Sequence, residues 1–131
     1  MTVTEPGHDE MIGIGIDAVD VARFRDLLVR RPHLLERAFS ASERADLSQR
    51  VDPAPAFAAR FAAKEAAMKS LGVGLGAVGL REIEVVRSPS GAPHLVVSGR
   101  AQRLAAKLGV AAFHVSLTHT ETTAQAVVVA L

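Results

Sequence analysis

The chain has no cysteine, no tryptophan and no tyrosine in 131 residues. The first absence excludes disulfides, thiolate metal sites and cysteine nucleophiles, and makes a reducing compartment comfortable. No apolar run approaches the roughly 20 residues that a bilayer-spanning helix needs, so a cytoplasmic protein with no membrane partner is the expectation. The first ten residues carry Glu5, Asp9 and Glu10 without an apolar stretch. They read as a flexible extension rather than a signal peptide or anchor, leaving residues 11–131 as one domain. Lysine is scarce too, with three residues in a Lys+Arg total of 15. The basic character is therefore mostly guanidinium, which suits forked recognition of carboxylates and phosphates.

At 13.8 kDa and 49% hydrophobic residues the chain can bury a real core without a second domain. Net charge is +1, but it is unevenly spread. Between residues 21 and 50, Arg23, Arg25, Arg30, Arg31, Arg37, Arg44 and Arg50 outnumber Asp26, Glu36, Glu43 and Asp46. A solvated helix face is the plainer explanation of such a segment; an acidic protein partner is the sharper one, and nothing in it marks a nucleic-acid binder.

Arg60-Phe61-Ala62-Ala63-Lys64-Glu65-Ala66-Ala67-Met68-Lys69 places four charges on a helix that otherwise reads as buried. At about 100° per residue, Phe57, Phe61 and Met68 share one side, and Ala59, Ala62, Ala63, Ala66 and Ala67 cover the other. Arg60 and Lys64 flank the large side chains on one edge; Glu65 and Lys69 flank them on the other. An ordinary spaced ion pair would account for Glu65 and Lys69, but two further segments point elsewhere. Met11-Ile12-Gly13-Ile14-Gly15-Ile16-Asp17 reads as a strand with one greasy face and one stripped face open to close approach, ending on an acid. Val115-Ser116-Leu117-Thr118-His119-Thr120 runs from a period-two strand into hydroxyls around a histidine.

The remaining pattern is a mixed α+β domain. Helices are expected at about Asp20–Arg30, Leu34–Phe39, from a Ser40–Glu43 capping box to before Asp52, at Ala56–Leu71, and at Arg100–Leu108. Strands are expected at about Met11–Ile16, Arg81–Arg87, His94–Ser98, Ala112–Leu117 and Ala124–Ala130, the last two forming a hairpin around residues 118–123. Gly72-Val73-Gly74-Leu75-Gly76 lacks the lysine and hydroxyl of a Walker loop and follows a helix C-terminus, where the dipole disfavours anions. A glycine C-cap with a loose connection is its simplest reading.

Gly13-Ile14-Gly15-Ile16-Asp17 with Arg23-Phe24, Arg60-Phe61-Ala62-Ala63-Lys64-Glu65-Ala66 with Lys69 and the glycine loop, and His114-Val115-Ser116-Leu117-Thr118-His119-Thr120 occur in that order. Together they resemble the motifs of the holo-[acyl-carrier-protein] synthases, the small 4'-phosphopantetheinyl transferases. The resemblance covers residue 11 to the end. Thr118 stands where many members have Ser, which keeps the hydroxyl. The resemblance implies a mostly antiparallel sheet packed on a long central helix. It also implies transfer of 4'-phosphopantetheine from coenzyme A to a serine hydroxyl of apo acyl carrier protein, releasing adenosine 3',5'-bisphosphate.

Phosphoryl transfer at a pyrophosphate calls for neutralised oxygens. Asp17 and Glu65 are then the ligands of Mg2+, a cation often held by one or two carboxylates plus substrate oxygens and water. Lys69 stabilises or protonates the leaving group, and Glu65, or a water held by the metal, takes the serine proton. Arg60, Lys64 and His119 are candidates for the adenosine-side phosphates, with Arg60 and His119 matching the family's 3'-phosphate contacts. Thr118 joins the coenzyme A contacts, Gly72 and Gly74 border the pantetheine or pyrophosphate portion, and Arg23 docks the carrier protein. With neither Trp nor Tyr, aromatic packing on adenine falls to the five phenylalanines. The family assembles as trimers with coenzyme A between subunits. The alanine face of the central helix and Val127-Val128-Val129-Ala130-Leu131 offer apolar surface for a homotrimer, although burial within one subunit would use the same pattern. A metal-dependent pyrophosphate hydrolase and a non-catalytic module for an acidic partner remain the alternatives.

Overall fold

The computed structural model describes residues 11–131; the extension expected at residues 1–10 lies outside the described residues. Strand β1 (Gly13–Asp20) leads directly into helix α1 (Val21–Arg30), whose N-cap Asp20 accepts the Arg23 backbone N–H at 3.0 Å. Two short helices follow, α2 (Leu34–Ala38) and α3 (Ala41–Ser48). The capping box at the start of α3 is the expected one: Ser40 Oγ accepts from the Glu43 N–H, and Glu43 Oε1 accepts from the Ser40 N–H, both at 3.1 Å.

Helix α4 (Ala54–Ser70) is the spine. Pro55 sits in its first turn, where a missing N–H costs nothing. Its end is a Schellman cap: the Gly72 N–H reaches the Lys69 carbonyl and the Val73 N–H reaches the Met68 carbonyl, both at 3.0 Å, with Gly72 at φ +74°. A 3-10 turn (Leu80–Glu82) introduces the antiparallel pair β2 (Ile83–Arg87) and β3 (Pro93–Val97), so the first residues of the strand expected at Arg81 are helical. Helix α5 (Gly99–Lys107) leads to β4 (Phe113–His119) and β5 (Thr123–Ala130). β5 lies between β1 and β4 in a three-stranded antiparallel sheet. The result is the expected α+β domain with antiparallel sheets around a long helix.

Helix and sheet meet almost backbone to backbone. A Cβ built on Gly13 would fall 1.9 Å from the Ser70 carbonyl oxygen, and one on Gly15 equally close to that of Ala66. The stripped face of β1 therefore lies against the alanine side of α4, where Ala62, Ala63 and Ala66 are fully buried with Ala126 and Val128 of β5. A second cluster, with Phe24, Phe39, Leu47 and Phe57, fills the space between α1–α3 and the first half of α4.

Two expectations need correction, and one face that alternation left open is settled. The alanine face is consumed by this contact and offers nothing to a second subunit. The greasy face of β1 points away from the core, leaving Ile14 58% and Ile16 68% exposed. Both strand ends also run further than expected. β1 continues to Asp20, which puts Asp17 in mid-strand opposite Ala126, and β4 includes His119, which pairs with Ala124. The hairpin loop is only residues 120–122, held by Thr120 Oγ1 accepting from the backbone N–H groups of Thr122 (3.2 Å) and Thr123 (3.1 Å).

Candidate active site

Strand alternation turns Asp17 to the same side as Gly13 and Gly15, toward α4. Helical periodicity puts Glu65 and Lys69, four apart, on the flank of α4 that meets β1. The Lys69 ammonium closes the gap, donating to Asp17 Oδ1 at 3.1 Å and to the Ile16 carbonyl at 3.0 Å. Asp17 is largely covered, with its side chain 19% exposed, while that of Lys69 is 53% exposed. Glu65 is half-buried and has no hydrogen-bond partner among the described residues. Burial raises its carboxyl above the usual carboxylate range, the nearby Asp17 charge raises it further, and Lys69 offsets part of this. Two acids thus press on each other at the rim of a helix–strand seam, with one ammonium beside them.

Such a pair is short of one cation's worth of positive charge. Among the described residues no three His, Cys, Asp or Glu side chains gather as a self-sufficient metal cage. Two carboxylates do fit a hard divalent ion that takes its remaining oxygens from a phosphate substrate and water.

Arg60 and Lys64 lie on the opposite flank of α4, facing α3 and β2. Arg60 is 3% exposed; its Nη1 donates to the Val85 carbonyl at 3.2 Å and its Nη2 pairs with Asp46 Oδ2. It is also among the residues lining a surface cavity with Ser42, Asp46, Val85, Val86 and Arg87. For Lys64 the expected phosphate contact is corrected. The side chain is fully buried and its ammonium donates to Glu43 Oε1 at 2.7 Å, the Leu80 carbonyl at 3.0 Å and the Ile83 carbonyl at 2.6 Å. An ammonium has three donors, and all are engaged. Phe39 lies beneath it, 5.1 Å from ring centroid to nitrogen. Burial lowers the Lys64 pKa, and the Glu43 carboxylate opposes that shift.

The third motif divides between the two faces of the sheet. His119 shares a row with Ala124 and Val19 on the α4 side, whereas Thr118 shares one with Gln125 on the outer face; both are exposed. β4 lies two strands from β1, about 10 Å across the sheet, so His119 does not join the carboxylates within one chain. Gly72 and Gly74 are exposed, with open space where a Cβ would stand. Arg23 is exposed in the first turn of α1, just past the end of the strand that carries Asp17.

Sequence reasoning missed Glu43 and Glu82. Glu43 was visible only as a capping residue, yet it is 1% exposed, and its Oε2 also accepts the Val85 N–H at 3.2 Å. Glu82 accepts the backbone N–H groups of Gly79 at 2.5 Å, Ala101 at 3.3 Å and Arg100, joining the glycine loop to the start of α5. Its partners in α5 are about twenty residues away, and no local signal announces them.

Fold and site together define a small α+β domain with an acid pair at a helix–strand edge. The family model described as the 4'-phosphopantetheinyl transferase superfamily matches residues 13–128. The holo-[acyl-carrier-protein] synthase of Moorella thermoacetica is 43% identical over 117 residues, covering 89% of this chain and 91% of the relative. The crystal structure of the Neisseria meningitidis holo-[acyl-carrier-protein] synthase matches with a TM-score of 0.85 at 30% identity, covering 93% of this chain and 99% of that one. That of the Helicobacter pylori enzyme, in complex with coenzyme A, matches with a TM-score of 0.79 at 32% identity, over 90% and 99%. The chain belongs to the holo-[acyl-carrier-protein] synthases of the 4'-phosphopantetheinyl transferase superfamily.

Proposed function

We propose that the chain transfers 4'-phosphopantetheine from coenzyme A to a serine hydroxyl of apo acyl carrier protein and releases adenosine 3',5'-bisphosphate. The observation that carries the proposal is the meeting of Asp17 and Glu65, with Lys69 bonded to Asp17 at 3.1 Å. Asp17 and Glu65 are the residues to hold Mg2+, which when bound supplies charge neutralisation on the pyrophosphate oxygens. The Lys69 ammonium, half exposed, stands ready to stabilise or protonate the departing phosphate oxygen. The Glu65 carboxylate, or a water held by the metal, accepts the serine proton. Arg23 and its neighbouring arginines face the acidic carrier.

The separation of cations from carboxylates supports a shared site. Arg60 and His119 cannot reach the Asp17–Glu65 edge of their own chain, so we assign them to the 3'-phosphate of coenzyme A bound at a neighbouring subunit's carboxylates. The outer sheet face supplies the contact for that assembly: Ile14, Val129 and His114 form one row, and Ile16, Val127 and Ser116 the next. A homotrimer buries these rows; a lone chain leaves them wet. Thr118 lies on the same face, and Gly72 and Gly74 border the pantetheine arm.

Mass spectrometry of an apo carrier protein after incubation with coenzyme A, with and without Mg2+, tests the proposal. The expected result is a carrier heavier by one phosphopantetheine group, lost when EDTA is added. Coenzyme A cleavage without any carrier would instead identify a hydrolase, and carrier binding without a mass change a docking module. No helix among the described residues is long and apolar enough to cross a membrane.

A further inference from the structure

The glycine loop, residues 72–79, is tied at both ends to α4, and one of the two ties is a buried charge that the reaction does not use. Its proximal end is the Schellman cap on Met68 and Lys69. Its distal end is the 3-10 turn, where Lys64 grips the Leu80 and Ile83 carbonyls while paired to Glu43. Between these ends Val78 is buried in the core and Val73 packs against it, but the exposed glycines make no close contact of their own. A methyl group added at Gly72, Gly74 or Gly76 would meet nothing within 4 Å, and the Ala77 N–H reaches the Gly74 carbonyl at a long 3.3 Å. Where residues 72–76 lie is therefore decided by these anchors together with buried Val78.

Stability alone does not account for the pair. Well-packed apolar residues commonly replace a buried ion pair at no loss, because desolvation cancels the Coulombic gain. An ammonium does what an apolar group cannot: it fixes two carbonyls of the turn at 3.0 and 2.6 Å from a helix. Lys64 also precedes Glu65 directly, so the turn is registered against the helical residue next to the acid. The Glu82 carboxylate, bonded to Gly79 and Ala101, ties the same end to α5 but not to α4.

We infer that Lys64 is a positioning residue for coenzyme A: paired with Glu43, it holds the distal end of the 72–79 loop in register with Glu65 and thereby sets affinity for coenzyme A rather than the rate of the chemical step. This rests on the reading above in which the loop borders the pantetheine arm. It gives Lys64 a role through the loop instead of at a phosphate.

The test is the double substitution Lys64→Met with Glu43→Gln, which removes both charges at nearly constant volume, assayed beside the unaltered enzyme. The expected result is a KM for coenzyme A raised about tenfold, with kcat and the KM for carrier protein within about twofold and the oligomeric state unchanged. A folded double variant with an unchanged KM for coenzyme A overturns the inference, as does one that loses kcat at constant KM. Hydrogen exchange on the unaltered protein covers the case in which the variant does not fold: coenzyme A must slow exchange across residues 72–80, and identical exchange with and without it also overturns the inference. An unaltered enzyme that fails to modify carrier protein refutes the proposed function instead, so the two failures are separable.

Discussion

Gly15→Ala tests the link between the seam and the chemistry in one substitution. The new Cβ would stand 1.9 Å from the Ala66 carbonyl oxygen and 2.8 Å from the Ser70 nitrogen, where ordinary contact begins near 3.4 Å. Both obstacles are backbone atoms of α4, so no rotamer change relieves the clash. Strand and helix must part by about 1.5 Å, the gap between the 1.9 Å approach to the oxygen and ordinary contact at 3.4 Å. Overpacking of a tight interior costs about 1–3 kcal/mol. A backbone-to-backbone clash belongs at the upper end, well above the roughly 0.4–1 kcal/mol gained from a stiffer unfolded chain. We expect a net loss of about 2 kcal/mol in urea unfolding at fixed protein concentration, and a Tm lower by roughly 8 °C. Because Asp17 is two residues along the displaced strand and Glu65 adjoins the obstructing Ala66, a shift of about 1 Å should also cut kcat/KM by on the order of 100-fold. Gly74→Ala, with nothing within 4 Å, serves as the stability control and should stay within about 0.5 kcal/mol. An unchanged urea midpoint in Gly15→Ala would refute the close-packing account.

Asp17→Ala and Glu65→Ala should each lower turnover by at least about 100-fold while leaving the circular dichroism spectrum and unfolding midpoint near those of the parent; normal rates in either would remove the acid pair from the mechanism. Ile16→Lys, at a side chain 68% exposed in the single chain, should yield monomers in light scattering and lose activity with them. A trimer that survives this change would disprove the outer-sheet interface. Arg23→Ala should raise the KM for carrier protein and spare that for coenzyme A, and an equal effect on both would argue against a docking role. Glu82 carries a pH dependence. Burial alone would raise its carboxyl, but the backbone N–H groups of Gly79, Arg100 and Ala101 outweigh burial and hold it below the usual range. Its contribution is therefore complete above the unfolded carboxyl value of about 4.3 and fades as pH falls through the lower folded value. Glu82→Gln should cost about 1 kcal/mol at pH 7, with the gap from the parent closing as pH falls below about 4; a gap constant down to pH 3 would contradict this.

Much of the architecture was legible because it is written in local rules. The Ser40–Glu43 box, the glycine C-cap after α4 and the 3.6-residue period of α4 depend on neighbours within one turn, and each stands where expected. Asp17, Glu65 and Lys69 were named through the family resemblance of their motifs, while the pattern of residues offered only a strand with a stripped face and a helix with an alanine side. One point was left open because period alone is ambiguous. Alternation says that Ile14 and Ile16 share a face but not that this face is outward, because that depends on which side of β1 the helix occupies.

Sequence by itself determined the element types and the alanine and glycine surfaces that permit a close helix–strand seam. Only the tertiary structure decided the fate of the basic residues. Arg60 and Lys64 carry the same formal charge one turn apart, yet Arg60 lines a surface cavity, paired with Asp46, while Lys64 is sealed over Phe39 by a carboxylate and two carbonyls from segments 16–21 residues away. Charge is a property of the residue; whether water, a phosphate or a buried carbonyl answers it depends on which distant backbone the fold brings within hydrogen-bonding range.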